Sequence, residues 1–241
     1  MSNKEKEIRS VWKLIILHLF PGVVLSVIYI LLLEGGVLES YPKLVILGLA
    51  GIVSIIPLEL GYLFYVAKKE VGSFNIIKIL GLQSKINVKE YIFYTVSLFM
   101  VVGILMTALR PLSNYILNTV FSWMPSSYNY VQDMSLFDRH FIIISLLVSF
   151  FFFTLILPII EELYFRGYLL ARMKWMGKYS VILNVILFSV YHFWSPWLIL
   201  SRIIAMLPLY YFVYKKDSLK LAILVHCLCN FTDVIVLIAL L

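Results

Sequence analysis

The chain has 241 residues, 62% of them hydrophobic and only 14% charged, where a soluble domain has about 45–50% and about 25%. The apolar excess comes in blocks of about 20 residues, enough to cross about 30 Å of hydrocarbon, which excludes a soluble enzyme with an oversized core. The net charge of +7 does not point to nucleic acid, because the basic residues sit in short clusters between apolar blocks and form no face with interleaved aromatics.

This pattern predicts an all-α, polytopic transmembrane bundle of about seven to eight helices around an intramembrane polar site. It reads as a single domain over 1–241, with N-terminal spans in 1–140 and the chemistry in 141–241. The basic head from Lys4 to Lys13, followed by an apolar run, has the form of a signal peptide. The run from Leu14 to Leu33 exceeds an h-region of about 7–15 residues, however, and no small-x-small site follows it cleanly, so it reads as the first span. Further spans are expected at 44–67, 91–109, 141–161, 181–197, 198–214 and 219–240, the fifth and sixth meeting at Ser195-Pro196 and Arg202. Pro57 and Glu59 in the second mark a kink and an acid at membrane depth. The segment Pro111 to Met124 is apolar and aromatic but short, and reads as interfacial or as an eighth, re-entrant element. Cys227 and Cys229 lie two apart and point in different directions on a helix, so they read as small buried hydrophobes rather than a disulfide or a zinc pair.

Lys and Arg test the scheme. Counted over alternate sides of the spans, sixteen fall on the side of the N-terminus and four on the other. By the positive-inside rule this puts the N-terminus in the cytosol of a multi-pass cell-membrane protein and, with seven spans, the C-terminus outside.

The fourth span runs into Ile160-Glu161-Glu162-Leu163-Tyr164-Phe165-Arg166-Gly167. A carboxylate at membrane depth costs roughly 2.5–3.5 kcal/mol on insertion scales, so it asks for a functional reason. Neighbouring residues are about 100° apart on a helix, so the two acids should not serve one point. Glu162 reaches Arg166 at i+4, which leaves Glu161 as the unpaired acid and candidate base. The competing reading is a helix end whose charges are solvated at the interface. His192 follows Phe188 by four residues, on the same face, and is either a site residue or a member of an aromatic belt. His226 and Asn230 project together from one face, either as site residues or as interhelical polar glue.

Taken together these residues spell hydrolysis. A carboxylate beside a histidine can hold and deprotonate water, and a second histidine with an asparagine can stabilise an oxyanion. No serine or cysteine sits in a comparable constellation. Glu161-Glu162-x-x-x-Arg166, Phe188-x-x-x-His192 and His226-x-x-x-Asn230, in that order and about 25 and 35 residues apart, resemble the CPBP (CAAX protease and bacteriocin-processing, or Abi) family, to which the type II CAAX prenyl endopeptidases belong. The resemblance covers roughly Phe141 to Leu241. It implies a helical intramembrane glutamate protease in which Glu161 and His192 activate water, His226 and Asn230 form the oxyanion site, and Glu162 and Arg166 support it. Zinc on the two Glu and two His is the chemical rival. There is no HExxH motif, the carbonyl-polarising donors already fill the metal's role, and hydrolysis without metal or other cofactor is favoured.

The leading expectation is an endopeptidase that cleaves a peptide near the cytosolic face: a peptide precursor, a bacteriocin leader or another membrane-bound substrate. Nothing in the residues demands a prenyl group. The alternatives are a non-proteolytic immunity or scaffold protein, and a proton-coupled transporter, which inverted repeats would favour and which are not evident.

Overall fold

The computed structural model describes residues 7–36, 38–83 and 85–241; Lys4 and Lys6 of the basic head lie outside them. Among the described residues the regular structure is helical throughout, in eight main helices. These are α1 (Val11–Glu34), α2 (Lys43–Val71), α3 (Val88–Ala108), α4 (Arg110–Thr119), α5 (Arg139–Leu170), α6 (Tyr179–Tyr191), α7 (Ile199–Lys216) and α8 (Leu219–Ile238). Local signals set their ends. The Ser10 hydroxyl accepts from the Lys13 amide at the start of α1, Asn87 and Glu90 form a reciprocal capping box on α3, and α2 stops at Gly72 with φ +70°.

Among the described residues six helices are long and apolar enough to cross a membrane, α7 counting from Pro196. The expected fifth span, 181–197, is corrected: α6 has 13 residues and ends at Tyr191, a length of about 20 Å at 1.5 Å per residue. Its apolar sequence continues to Trp197, but the chain leaves the helix at His192 and Pro196 opens the next one, so the pair turns back inside the bundle. The expected fourth span is corrected in the other direction. It runs past residue 161 to Leu170, and Glu161 and Glu162 are buried mid-helix, not solvated at a helix end. The segment after α3 is a 10-residue helix, α4.

The helices are not uniform. Wide π turns occupy Ile56–Leu60 in α2, and Ser149–Ile156 and Leu163–Leu170 in α5. Such turns admit an extra residue and occur often at functional sites; here they carry Glu59 and follow directly on Glu162.

The two ends of the bundle differ. One carries the basic clusters and is tied by Arg172–Glu70 (2.6 Å), Lys174–Asp217 (2.5 Å) and Lys216–Glu90 (3.3 Å). Inside it Tyr168, Leu169, Leu170 and Met173 pack with Leu80, Leu82, Val213 and Leu219 in a continuous core. At the other end Ser113 and Ser201 share a hydroxyl contact of 2.6 Å, and the Lys43 ammonium donates to the Ser126 and Asn129 carbonyls. A smaller core of Leu25, Tyr29, Ile46 and Leu47 joins α1 and α2 to Leu157 and Ile160. Gly22 brings α1 onto the last turn of α6, where a Cβ would stand 2.0 Å from the Tyr191 carbonyl oxygen.

Candidate active site

Glu162 has no exposed surface. Its Oε1 accepts from the Tyr210 hydroxyl (3.1 Å) and from His226 Nδ1 (2.9 Å), and lies 3.2 Å from Arg166 Nη1. The expected pair four residues apart is therefore present, with two partners that the sequence did not announce. The Arg166 guanidinium, equally buried, is held face-on by two rings, its carbon 3.8 Å from the Phe188 centroid and 3.5 Å from that of Tyr210. An aromatic sandwich of this kind replaces part of the lost hydration of a cation.

Glu161 is 6% exposed. Its Oε1 accepts from the Tyr191 hydroxyl at 3.1 Å, and its Oε2 lies 3.9 Å from His226 Nε2. This corrects two expectations: Glu161 has partners, and the adjacent acids do meet one group. Helix geometry separates the carboxylates, but an imidazole offers a nitrogen on each side, and His226 lies against both.

His192 sits just beyond the last turn of α6. Its Nδ1 lies 2.8 Å from the Phe188 carbonyl oxygen. A carbonyl only accepts, so Nδ1 carries the proton and Nε2 keeps its lone pair. Phe188 packs edge-on against the imidazole at 4.8 Å, as the four-residue spacing predicts, while also stacking on Arg166. Asn230, one turn beyond His226, donates from Nδ2 to the Phe153 carbonyl at 2.7 Å. Cys227 and Cys229 on the same helix are free and half-buried.

Glu161, His192, His226, Asn230 and Phe188 line one cavity of about 910 Å³. Its walls continue through Leu47, Met106, Arg110, Asn114 and Tyr130, so it runs from the acids toward the basic-poor end of the bundle. The basic end is filled by side chains. Arg202 also lines the cavity, 9% exposed, with Nη2 donating to Ser195 Oγ at 3.1 Å. In the sequence Arg202 marks only a span junction, and Tyr191 and Tyr210 carry no motif. An arginine inside apolar sequence was a usable signal for the first; two tyrosines among sixteen carried none. Among the described residues no three His, Cys, Asp or Glu side chains gather in a geometry suited to a metal ion.

Residues 143–232 match the family described as type II CAAX prenyl endopeptidase Rce1-like. The matched stretch holds every residue of the constellation and leaves α1 to α4 outside. The searches of curated proteins and of solved structures returned no match.

Proposed function

We propose, on the premise that through these residues the chain belongs to the CAAX protease and bacteriocin-processing family, that it is an intramembrane endopeptidase using water activated by Glu161 and His192. The family is one of proteases, and the six long apolar helices make the chain a multi-pass membrane protein. One observation carries the finer reading: Glu161 of α5, His192 at the end of α6, and His226 and Asn230 of α8 line a single cavity inside an apolar bundle, with Glu162 buried behind His226.

In this mechanism water donates one hydrogen to the lone pair on His192 Nε2 and the other to Glu161. Glu161 takes its proton as the water oxygen bonds to the peptide carbonyl carbon. The oxyanion is met by the Asn230 amide and by His226. With His226 Nδ1 directed at Glu162, Nε2 offers a proton only in the imidazolium, so the oxyanion role requires the charged ring. Glu162 and Arg166 fix that ring. Glu161 then returns its proton to the leaving nitrogen as the C–N bond breaks, and the remaining hydroxyl proton passes by way of His192 Nε2 to the released amine, so that the products depart as a carboxylate and an ammonium. No metal is assigned: Glu162 is already committed to Arg166, Tyr210 and His226.

The charge asymmetry supports a cytosolic N-terminus and a cytosolic basic end. The cavity runs toward the opposite end, so this reading replaces cleavage near the cytosolic face with a substrate that enters from the membrane or the non-cytosolic side. Purified protein in micelles, offered a broad library of amphipathic and lipidated peptides, tests the activity. Cleavage that persists in a metal chelator and is lost in E161Q is the expected result. A wild type that cleaves nothing while still binding a partner protein would give the lead to the immunity or scaffold reading.

A further inference from the structure

A third acid stands beside the site on a helix outside the matched segment. Glu59 lies in the π turn Ile56–Leu60 of α2, where Pro57 supplies no amide hydrogen and the Gly61 amide closes onto the Ile56 carbonyl. Its side chain has no exposed surface and, among the described residues, neither oxygen makes a hydrogen bond of good geometry or an ion pair. An ionised carboxylate in that setting is expensive, and a neutral carboxylic acid is the form the surroundings tolerate. The polar group beside it is the Tyr191 phenol, which spends its own hydrogen on Glu161 Oε1 and keeps lone pairs on its oxygen. The other titratable or charged groups facing the two acids are Tyr164, Glu162 and Arg166 of α5, Arg202 and Tyr210 of α7, and His226 of α8.

We propose that Glu59 is a positioning residue: a buried carboxylic acid whose O–H is directed at the Tyr191 phenol oxygen, holding the phenol as a donor to Glu161. Each bond in such a chain polarises the next. Glu59 thereby favours the ionised, water-ready form of Glu161 and fixes its rotamer, without touching substrate. This rests on Glu161 being the base.

The test compares pH–rate profiles of E59Q, E59M, Y191F and E59M/Y191F, each normalised to folded protein. Y191F removes the whole bond to Glu161, and the acidic limb of the profile moves up by about one to two pH units, the scale of a hydrogen bond to a charged group. E59M keeps the volume but removes the donor, and moves the limb the same way by several tenths of a unit, as the loss of polarisation along one bond implies. E59Q, whose amide still donates, keeps the limb at the wild-type position. E59M/Y191F shifts no further than Y191F, because the phenol carries the effect. A second arm does not need activity: the infrared spectrum of the wild type near neutral pH should hold a protonated-carboxyl band that E59Q lacks.

A limb that moves down in both E59Q and E59M marks Glu59 as an ionised repulsive neighbour and overturns the proposal. A limb that ignores Glu59, with only melting temperature changed, makes it a packing residue. Absence of the infrared band overturns it as well. Failure of the underlying reading looks different: a wild type without cleavage, or E161Q with it.

Discussion

At the scale of single residues, the two adjacent acids should fail in different ways. E161Q removes the proton acceptor but keeps shape and the bond from Tyr191, so it should abolish cleavage with melting close to wild type. E162Q leaves Arg166 without its counter-charge in a site closed to water, a change that costs about 3–5 kcal/mol when a buried pair loses one partner. The rings of Phe188 and Tyr210 on either side of Arg166 should hold the loss near the lower figure. Activity per folded molecule should fall too, because the same substitution replaces the carboxylate that favours a charged His226 ring with a neutral amide. R166Q should resemble E162Q. Melting curves and specific activity of the three purified variants decide this; a stable, inactive E162Q beside an active E161Q would exchange the roles. N230A should lower turnover by about 10²–10³, the usual loss for one oxyanion donor. If turnover is unchanged, the bond to the Phe153 carbonyl is the whole of its purpose. The pairs four residues apart were legible in the sequence because helical spacing alone creates them: Glu162 with Arg166, Phe188 with His192. The bonds from Tyr210 and His226 to Glu162 cross 48 and 64 residues, and the bond from Tyr191 to Glu161 crosses 30. No local period announces such contacts, and this is why Glu161 read as an acid without partners.

At the scale of elements, the number of helices followed from blocks of apolar sequence, and two of their ends did not. Hydropathy falls at Glu161 and stays high past Tyr191, so composition shortens α5 and lengthens α6. Partners on other helices satisfy the acids and let α5 continue. The ring constraint of Pro196 and the non-helical His192 (φ −79°, ψ 57°) stop α6 early. That early stop is what brings His192 to the cavity. The close approach of α1 to this point gives a direct check. A methyl at Gly22 would meet backbone, the Tyr191 carbonyl oxygen at 2.0 Å, whereas one at Gly103 in α3 meets nothing within 4 Å. G22A should therefore cost about 1–3 kcal/mol by overpacking and reduce turnover as Tyr191 is pushed off Glu161. G103A should be neutral or slightly stabilising, since alanine is the better helix former. Equal melting temperatures for the two variants would mean that α1 does not press on α6.

At the scale of the whole molecule, two asymmetries have to agree. Basic residues mark one end of the bundle, and the cavity runs toward the other, lined there by Arg110, Asn114 and Tyr130. If charge sets orientation, the basic end is cytosolic and the cavity opens away from it. Single cysteines in a background with Cys227 and Cys229 replaced by alanine separate the two inferences. S122C and N114C lie at exposed positions near the basic-poor end, and K174C marks the basic end. A membrane-impermeant thiol reagent applied to intact cells should label S122C and N114C but not K174C, and inverted vesicles should give the reverse. Asn114 lines the cavity whereas Ser122 does not, so a bound substrate peptide should slow modification at N114C and leave S122C unchanged. Modification of N114C should also block cleavage. External labelling of K174C alone would invert the topology, and with it the side from which substrate is drawn. Labelling of K174C and N114C from the same side would break the link between charge and cavity, because the two residues would then share one end of the bundle.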